Sequence, residues 1–586
     1  MSELHQILLG LGYCYISSNK LPKDSPILKY SHSTGFYQKE FVTSGGKFCV
    51  LLDISKDPHL LLPTACLLSI PDHYKGRLLP HINFGWFLCY VEQMEADWDP
   101  NDLYSTYYCV DTQIKETLQI VANSNSESTD QGLEGEFSAY WLADRTVYLL
   151  SQTQPLQAKT LDLCIVNQEK KSRWVLFDQN DVAEYQKWLH LNKFNETKKY
   201  TCSSSCFRVN PKKLSGLSWP PENFKAFLAW LNEVDSHTLS NLLQYFAAHT
   251  KKRHFLLFDV LGYGLIALYV AINSNKAALK SYSGKHRKTK KNPRKLREAN
   301  LLSVLKNPLV VEQFIRLRVE KLDKESLLAR NRPRPEVGDL RTKKIALIGC
   351  GTIGGYLAPL LLRSGAGCGD GYLHLYDPGI FEPENYGRHS LTSEAFQTNK
   401  AEATTRMLHQ SIHFTTTIEA FDSYFPITKI NLRKYDIIID ATGRPTVSKR
   451  LACVVREIDS GARPVIIHGF NDGFGRASKV FIDNGQSCFG CLISERGFYK
   501  NGTDLRFENL NRHNEQRISC GSTFTPYDAA VSVVTAGLMQ EAALYTLEHH
   551  YEWTYKEHFF DGSRARKPKI LSQNDNWGST PIPRTV

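Results

Sequence analysis

The sequence predicts an α/β protein whose C-terminal half carries a Rossmann-like domain, a parallel sheet wrapped by helices. Three observations lead there. Residues 343–363 (KKIALIGCGTIGGYLAPLLLR) run from an apolar strand through Gly349-x-Gly351-x-x-Gly354 into a helical pattern. A second strand, GYLHLYDPG, ends in Asp377, and a later one, YDIIIDATG, ends in Asp440. After Lys400 the pattern continues as helix, strand and helix, the alternation of a doubly wound sheet.

The glycines allow a tight turn, close approach of backbone to phosphate, and tight helix–strand packing, with the helix dipole facing the phosphates. Asp377 stands where a ribose hydroxyl would be bound. The residues after Asp377 are unlike those of a dehydrogenase. Glu384-Asn385-Tyr386-Gly387-Arg388-His389 and then Lys400 gather cation and amide donors just past the ribose carboxylate. Those donors suit an enzyme that grips a triphosphate and a carboxylate.

These residues carry a resemblance. IGCGTIGGYLAPLLLRSGAG, LHLYDPGIFEPENYGRH and NKAEA look like the adenylation core of the ubiquitin-activating superfamily, over roughly residues 340–550. The ThiF and MoeB adenylyltransferases of the thiamine and molybdopterin pathways belong to it. The resemblance implies ATP bound by Gly349, Gly351, Gly354, Asp377, Asn385, Arg388 and Lys400. It further implies magnesium held by Asp440, although the Asp-x-x-Asp-Asn of the family becomes Asp440-x-x-Gly443-Arg444 here. The rival reading of Asp440 is an ordinary helix cap. Relatives carry zinc on two Cys-x-x-Cys pairs. This chain has one pair, Cys488 and Cys491, which His549 and His550 could complete. Cys520, in RISCGSTFTP near Arg517, resembles the activating thiol, with Cys491 as the alternative.

Near the N-terminus, His81-Ile82-Asn83, then Gly85 and Cys89, then Trp98-Asp99-Pro100 resemble the ubiquitin-conjugating enzymes. That family reads His-Pro-Asn, glycine, cysteine and Trp-Ser-Pro, so Ile82 and Asp99 are departures. The resemblance makes Cys89 the thioester-bearing thiol and Asn83 the oxyanion donor. The alternative is a buried structural cysteine in an apolar strand. The expected domains are a conjugating-like α+β domain over 1–136, a linking domain over 137–330 and the adenylation domain over 331–586. In the middle, FSAYWL, RTVYLLS, TLDLCIV and RWVLFD read as strands, and FKAFLAWLNEV and TLSNLLQYFAAH as helices. FLLFDVLGYGLIALYVAI reads as a buried strand–turn–helix, and Cys202 and Cys206 fall in a Ser-rich turn. Arg330, Arg332 and Arg334, in LLARNRPRP, are candidates to reach the ATP of a partner subunit.

At 586 residues there is core enough for several domains. The 14 cysteines follow no framework spacing and point to a reducing cytoplasm, with no signal peptide and no membrane span. The net charge of +11 is concentrated in KHRKTKKNPRKLR at 285–297. Without interleaved aromatics that run is no nucleic-acid site; it reads as a solvated loop or a dock for an acidic partner. Module order resembles the activating–conjugating fusions of bacterial anti-phage CBASS operons, which attach the C-terminus of a cGAS-like nucleotidyltransferase to target proteins. That resemblance implies target lysines, and the resemblance of the adenylation core to relatives that pair as symmetric dimers implies a homodimer. The competing expectations are a sulfur-carrier adenylyltransferase of cofactor synthesis and a nucleotide-sensing scaffold.

Overall fold

The structure, a computed structural model, describes residues 3–560 except 24, 26, 84, 94, 124–132, 154, 169–170, 250, 274–292, 331, 333–335, 495–496, 498, 501–502, 508–515, 520–521, 525–526 and 549–552. The chain forms two compact units, residues 1–182 with 194–322, and residues 323–586 with 183–193.

The first unit begins with an antiparallel sheet in the order β1 (Cys14–Ser17), β2 (Gly35–Thr43), β3 (Gly46–Asp53), β4 (Thr64–Ser69) and β5 (Phe87–Leu88). The helices Glu3–Gly10 and Leu103–Ala122 cover it. In the long helix Thr106, Tyr107, Val110, Ile114, Thr117, Leu118 and Val121 are buried, at the three- and four-residue spacing of one face. Asp102 accepts the Ser105 N–H and caps it.

Seven further strands close a barrel: β6 (Arg145–Leu149), β7 (Lys159–Gln168), β8 (Lys171–Asp178), β9 (Asn195–Val209), β10 (Arg253–Val260), β11 (Gly264–Ile272) and β12 (Val311–Lys321). Here three readings need correction. The run 255–272 is a strand–turn–strand, with β10 and β11 antiparallel from Arg253↔Ala271 to Val260↔Gly264. Phe255 and Leu257 join the barrel interior, whereas Leu256, Phe258 and Val260 pack in the cluster that holds the helices Phe224–Val234 and Ser236–Ala248. A strand buried on both faces loses its alternation and reads like a helix. FSAYWL forms a 3₁₀ turn at Ala139–Trp141, not a strand. Cys202 and Cys206 lie in β9, buried and facing the barrel interior.

The second unit holds a seven-stranded sheet ordered β15 (Ile418–Phe421), β14 (Tyr372–Tyr376), β13 (Lys344–Ile348), β16 (Ile437–Asp440), β17 (Val465–Asp472), β18 (Ala477–Asp483) and β23 (Tyr555–Phe559). The first five are parallel; β18 runs antiparallel to β17, and β23 antiparallel to β18. Two small hairpins, β19 (Tyr499–Lys500) with β20 (Thr503–Asp504) and β21 (Gln516–Ser519) with β22 (Ser522–Phe524), lie outside it. Order reverses at β13, so the crevice beside its C-terminal end is where such sheets bind ligands. Among the described residues no helix is long and apolar enough to cross a membrane.

Candidate active sites

The second unit opens a cavity of about 510 Å³ at that crevice. Its floor is the glycine loop (Ile348, Gly349, Gly351, Thr352). Its walls come from the ends of β14 (Tyr376, Asp377), β15 (Ser423, Tyr424) and β16 (Thr442, Gly443, Arg444), with Tyr527. Gly349 adopts φ 90°, and a Cβ on Gly354 would stand 1.8 Å from the Gly349 carbonyl oxygen. Loop and helix Thr352–Arg363 therefore touch backbone to backbone, and only glycine fits. Gly351 is the N-cap of that helix, whose N-terminus faces the cavity.

Asp377 lines the cavity while its oxygens accept the N–H groups of Cys350 and Gly379, each at 2.7 Å. The Lys400 ammonium flanks the same turn: a Cβ on Gly379 would lie 3.5 Å from its Nζ and 2.9 Å from Asp377 Oδ1. Arg388 stacks its guanidinium 4.5 Å from the ring centre of Tyr527. His389 is buried and neutral in bonding: Nε2–H donates to Cys350 O at 2.7 Å and Nδ1 accepts the Leu391 N–H. Burial lowers its pKa, in keeping with a tie between the two loops.

Two expected cofactor residues have other work. Asn385 Oδ1 accepts the Glu382 N–H within a capping box, and the residue does not line the cavity. Asp440, expected to hold magnesium, is 1% exposed. Its Oδ1 accepts from Thr442 N and Oγ1 (3.1 and 2.7 Å), and its Oδ2 from Ser448 Oγ and His468 Nδ1 (2.6 and 3.0 Å). Burial alone would raise this carboxyl; His468, Ser448 and Thr442 outweigh it and hold the group below the ordinary range. A carboxylate so enclosed does not fit a magnesium ligand, nor is it the helix cap of the rival reading, since the helix Pro445–Arg456 has Arg444 as its N-cap. Asp377 is the only acid among the described residues that line the cavity.

Cys488 and Cys491 approach to 3.5 Å between sulfurs at the start of the helix Phe489–Ser494, with Cys491 exposed. Among the described residues no three metal-ligating side chains converge. His549, His550 and Cys520 lie outside the described residues. Arg332 does not extend outward: it pairs with Asp339 at 2.6 Å and Glu325 at 3.1 Å within its own chain. Arg334 lies outside the described residues.

The first unit presents Cys89. Its N–H donates to His81 O at 2.8 Å, and Ile82 pairs with Leu88, so the arms 81–83 and 87–89 run side by side. Asn83 Oδ1 accepts from Gly85 N and Phe87 N at 2.9 and 3.1 Å, which fixes the amide orientation. Its Nδ2 end has no partner among the described residues. Trp98 Nε1–H donates to His59 O at 2.8 Å and locks the Trp-x-Pro turn. Cys89 is solvent-exposed as a residue, so it is not the structural core cysteine of the rival reading. Partial burial, then Glu136, push its thiol up to about 11. Sequence reading missed Glu136, since it ends a polar stretch (NSNSESTDQGLEGE) that looks like a linker; Tyr424 and Tyr527 carried no motif at all.

Two family models match the chain, one in each part. Residues 11–150 match the prokaryotic E2 family B, and residues 325–575 match the ThiF family. Fold and matches define the class, an E2-like conjugating domain and an E1-like ThiF domain on one chain. Along nearly its whole length the chain is 46% identical over 578 residues to the ATP-dependent ubiquitin transferase-like protein Cap2 of Vibrio cholerae serotype O1, covering 97% of this chain and 98% of that protein. It is 42% identical over 585 residues to the protein of the same name from Escherichia coli strain TW11681, covering 98% of each. The chain belongs to the Cap2 family of ATP-dependent ubiquitin transferase-like enzymes. Among solved structures it is similar to Escherichia coli MccB bound to succinimide, at 19% identity over 36% of this chain and 56% of that chain, with a TM-score of 0.25. It is also similar to selenomethionine PaaA, at 17% identity over 38% and 73%, with a TM-score of 0.27.

Proposed function

We propose that this chain uses ATP to adenylate the C-terminal carboxylate of a protein, carries the acyl group as a thioester, and joins it to target lysines. The observation that supports this most is the pairing, on one chain, of a glycine-floored cavity at the sheet switch point with an exposed Cys89 beside Asn83. ATP is the substrate at Gly349, Gly351, Gly354 and Asp377, with Arg388 and Lys400 beside the cavity as the charges for its phosphates. Magnesium would enter as the nucleotide's own counter-ion, because the described cavity offers no carboxylate pair to hold it.

The acyl-adenylate is then attacked by a thiol, expelling AMP, and the thioester passes to Cys89; two activated intermediates replace one difficult amide synthesis. Cys520 is our first thiol. Cys491 is the second reading, favoured by its exposure and by the 3.5 Å contact with Cys488 Sγ. Asn83 Nδ2 supplies the oxyanion donor when an amine attacks at Cys89. By resemblance to CBASS fusions the acyl donor is a cGAS-like nucleotidyltransferase, the setting is cytoplasmic anti-phage defence, and the chain works as a homodimer through residues 340–586. A sulfur-carrier role would release AMP without any thioester on Cys89.

Calorimetry tests the nucleotide: ATP should bind and NAD should not. Tighter binding of NAD than of ATP would overturn the adenylation reading.

A further inference from the structure

Resting on the reading of Cys89 as acyl carrier, we propose that Glu136 is the proton acceptor for the chemistry at its sulfur. Glu136 is held where that task requires. Its Oε2 accepts the His81 N–H at 3.0 Å and the Tyr140 hydroxyl at 2.7 Å, and its Oε1 lies 3.3 Å from His81 Nδ1. The segment bearing it is anchored by Leu133, Phe137, Tyr140 and Trp141, all buried in one cluster with Trp219. His81 links carboxylate and cysteine directly: its N–H points to Glu136 while its carbonyl accepts the Cys89 N–H at 2.8 Å. To do both it adopts φ 61°, a conformation that non-glycine residues seldom take and that clusters at functional sites.

The negative charge of Glu136, held beside Cys89 through His81, opposes ionisation of the thiol, and that of Glu92 adds to it. Such a thiol stays protonated at neutral pH and is a poor nucleophile until its proton leaves. Burial alone would raise the Glu136 carboxyl. The His81 and Tyr140 bonds outweigh burial and hold it below the ordinary carboxylate range, so Glu136 is ionised and can accept. So weak a base acts only in concert, as bond formation makes the proton acidic.

On loading, the Cys89 S–H bond breaks toward Glu136, sulfur bonds the acyl carbon, and the donor sulfur leaves as thiolate; the proton then returns to solvent. On discharge, nitrogen bonds the acyl carbon and the C–S bond breaks. The extra proton of the lysine ammonium passes through Glu136 to solvent, and the proton shed as nitrogen bonds carbon ends on the departing Cys89 sulfur, which becomes a thiol.

The experiment uses the full chain, with Cys89 loaded by exchange from a short glycine-ended peptide thioester and identified by peptide mass. In Glu136→Gln, iodoacetamide should label unloaded Cys89 several-fold faster at pH 8, since the opposing charge is gone. Discharge to lysine should slow about 10²-fold, whereas discharge to hydroxylamine, an amine already neutral near pH 7, should stay within about twofold. Glu136→Asp keeps the charge but withdraws it, and should slow lysine discharge alone, which covers failure of the first variant to fold. Lysine rates equal to wild type in both variants, or lysine and hydroxylamine rates falling together, would overturn the proposal. A wild-type Cys89 that accepts no acyl group would overturn the conjugating reading, and this inference with it. Normal wild-type loading with unaltered variants would overturn this inference alone.

Discussion

Asp440 accepts four hydrogen bonds, two on each oxygen, and none of the donors is a ligand. Sequence showed a carboxylate at a strand end, where sheets bind ligands. It did not show the donors that close around it, because Ser448 and His468 come from a helix and a strand that meet Asp440 only in the fold. Asp440→Asn turns an acceptor into a donor facing Ser448 and His468, and should cost about 3–5 kcal/mol of stability, as breaking a buried ionic network does. Urea denaturation measures this. Because the folded pKa lies below the unfolded value of about 3.9, the carboxylate's stabilisation is present above about pH 4 and is lost as pH falls through the folded value. The variant should lose that acid-side slope. An Asp440→Asn protein of unchanged stability but weaker ATP affinity would return Asp440 to the ligand set.

At the scale of elements, the strand–loop–helix from Lys344 to Arg363 was readable because its constraint is local: glycine spacing alone dictates the contact between Gly354 and the Gly349 carbonyl. The barrel was unreadable for the opposite reason. β10 and β11 are apolar on both faces, and what distinguishes them from a buried helix is pairing with β9 and β12, which sequence does not display. Gly354→Ala should push the helix off the loop and weaken ATP binding about tenfold or more, over 1.4 kcal/mol, by calorimetry. Unchanged affinity would mean that the loop does not shape the nucleotide site. A second element test concerns Lys479, which is 0% exposed and bonded to Asp472, Tyr499 and Asp504. It ties Tyr499 and Asp504 to β18, and Lys479→Met should cost about 3–5 kcal/mol by removing the buried cation that Asp472 and Asp504 share, Asp504 keeping only Arg506. A neutral result in urea would mean that the pairing adds nothing net.

For the whole molecule, the central claim is an ordered relay from the nucleotide site through two thiols. The most direct measurement is intact mass under non-reducing conditions, on Cys520→Ala and Cys89→Ala, with ATP and a cGAS-like nucleotidyltransferase as acyl donor. Adenylation needs neither thiol, so both variants should retain ATP–pyrophosphate exchange. Cys520→Ala should carry no thioester. Cys89→Ala should stall with a reducible adduct on the first thiol and modify no target lysine. If Cys520→Ala still loads Cys89, the first thiol is Cys491. If Cys89→Ala modifies targets at the wild-type rate, the relay through Cys89 is contradicted.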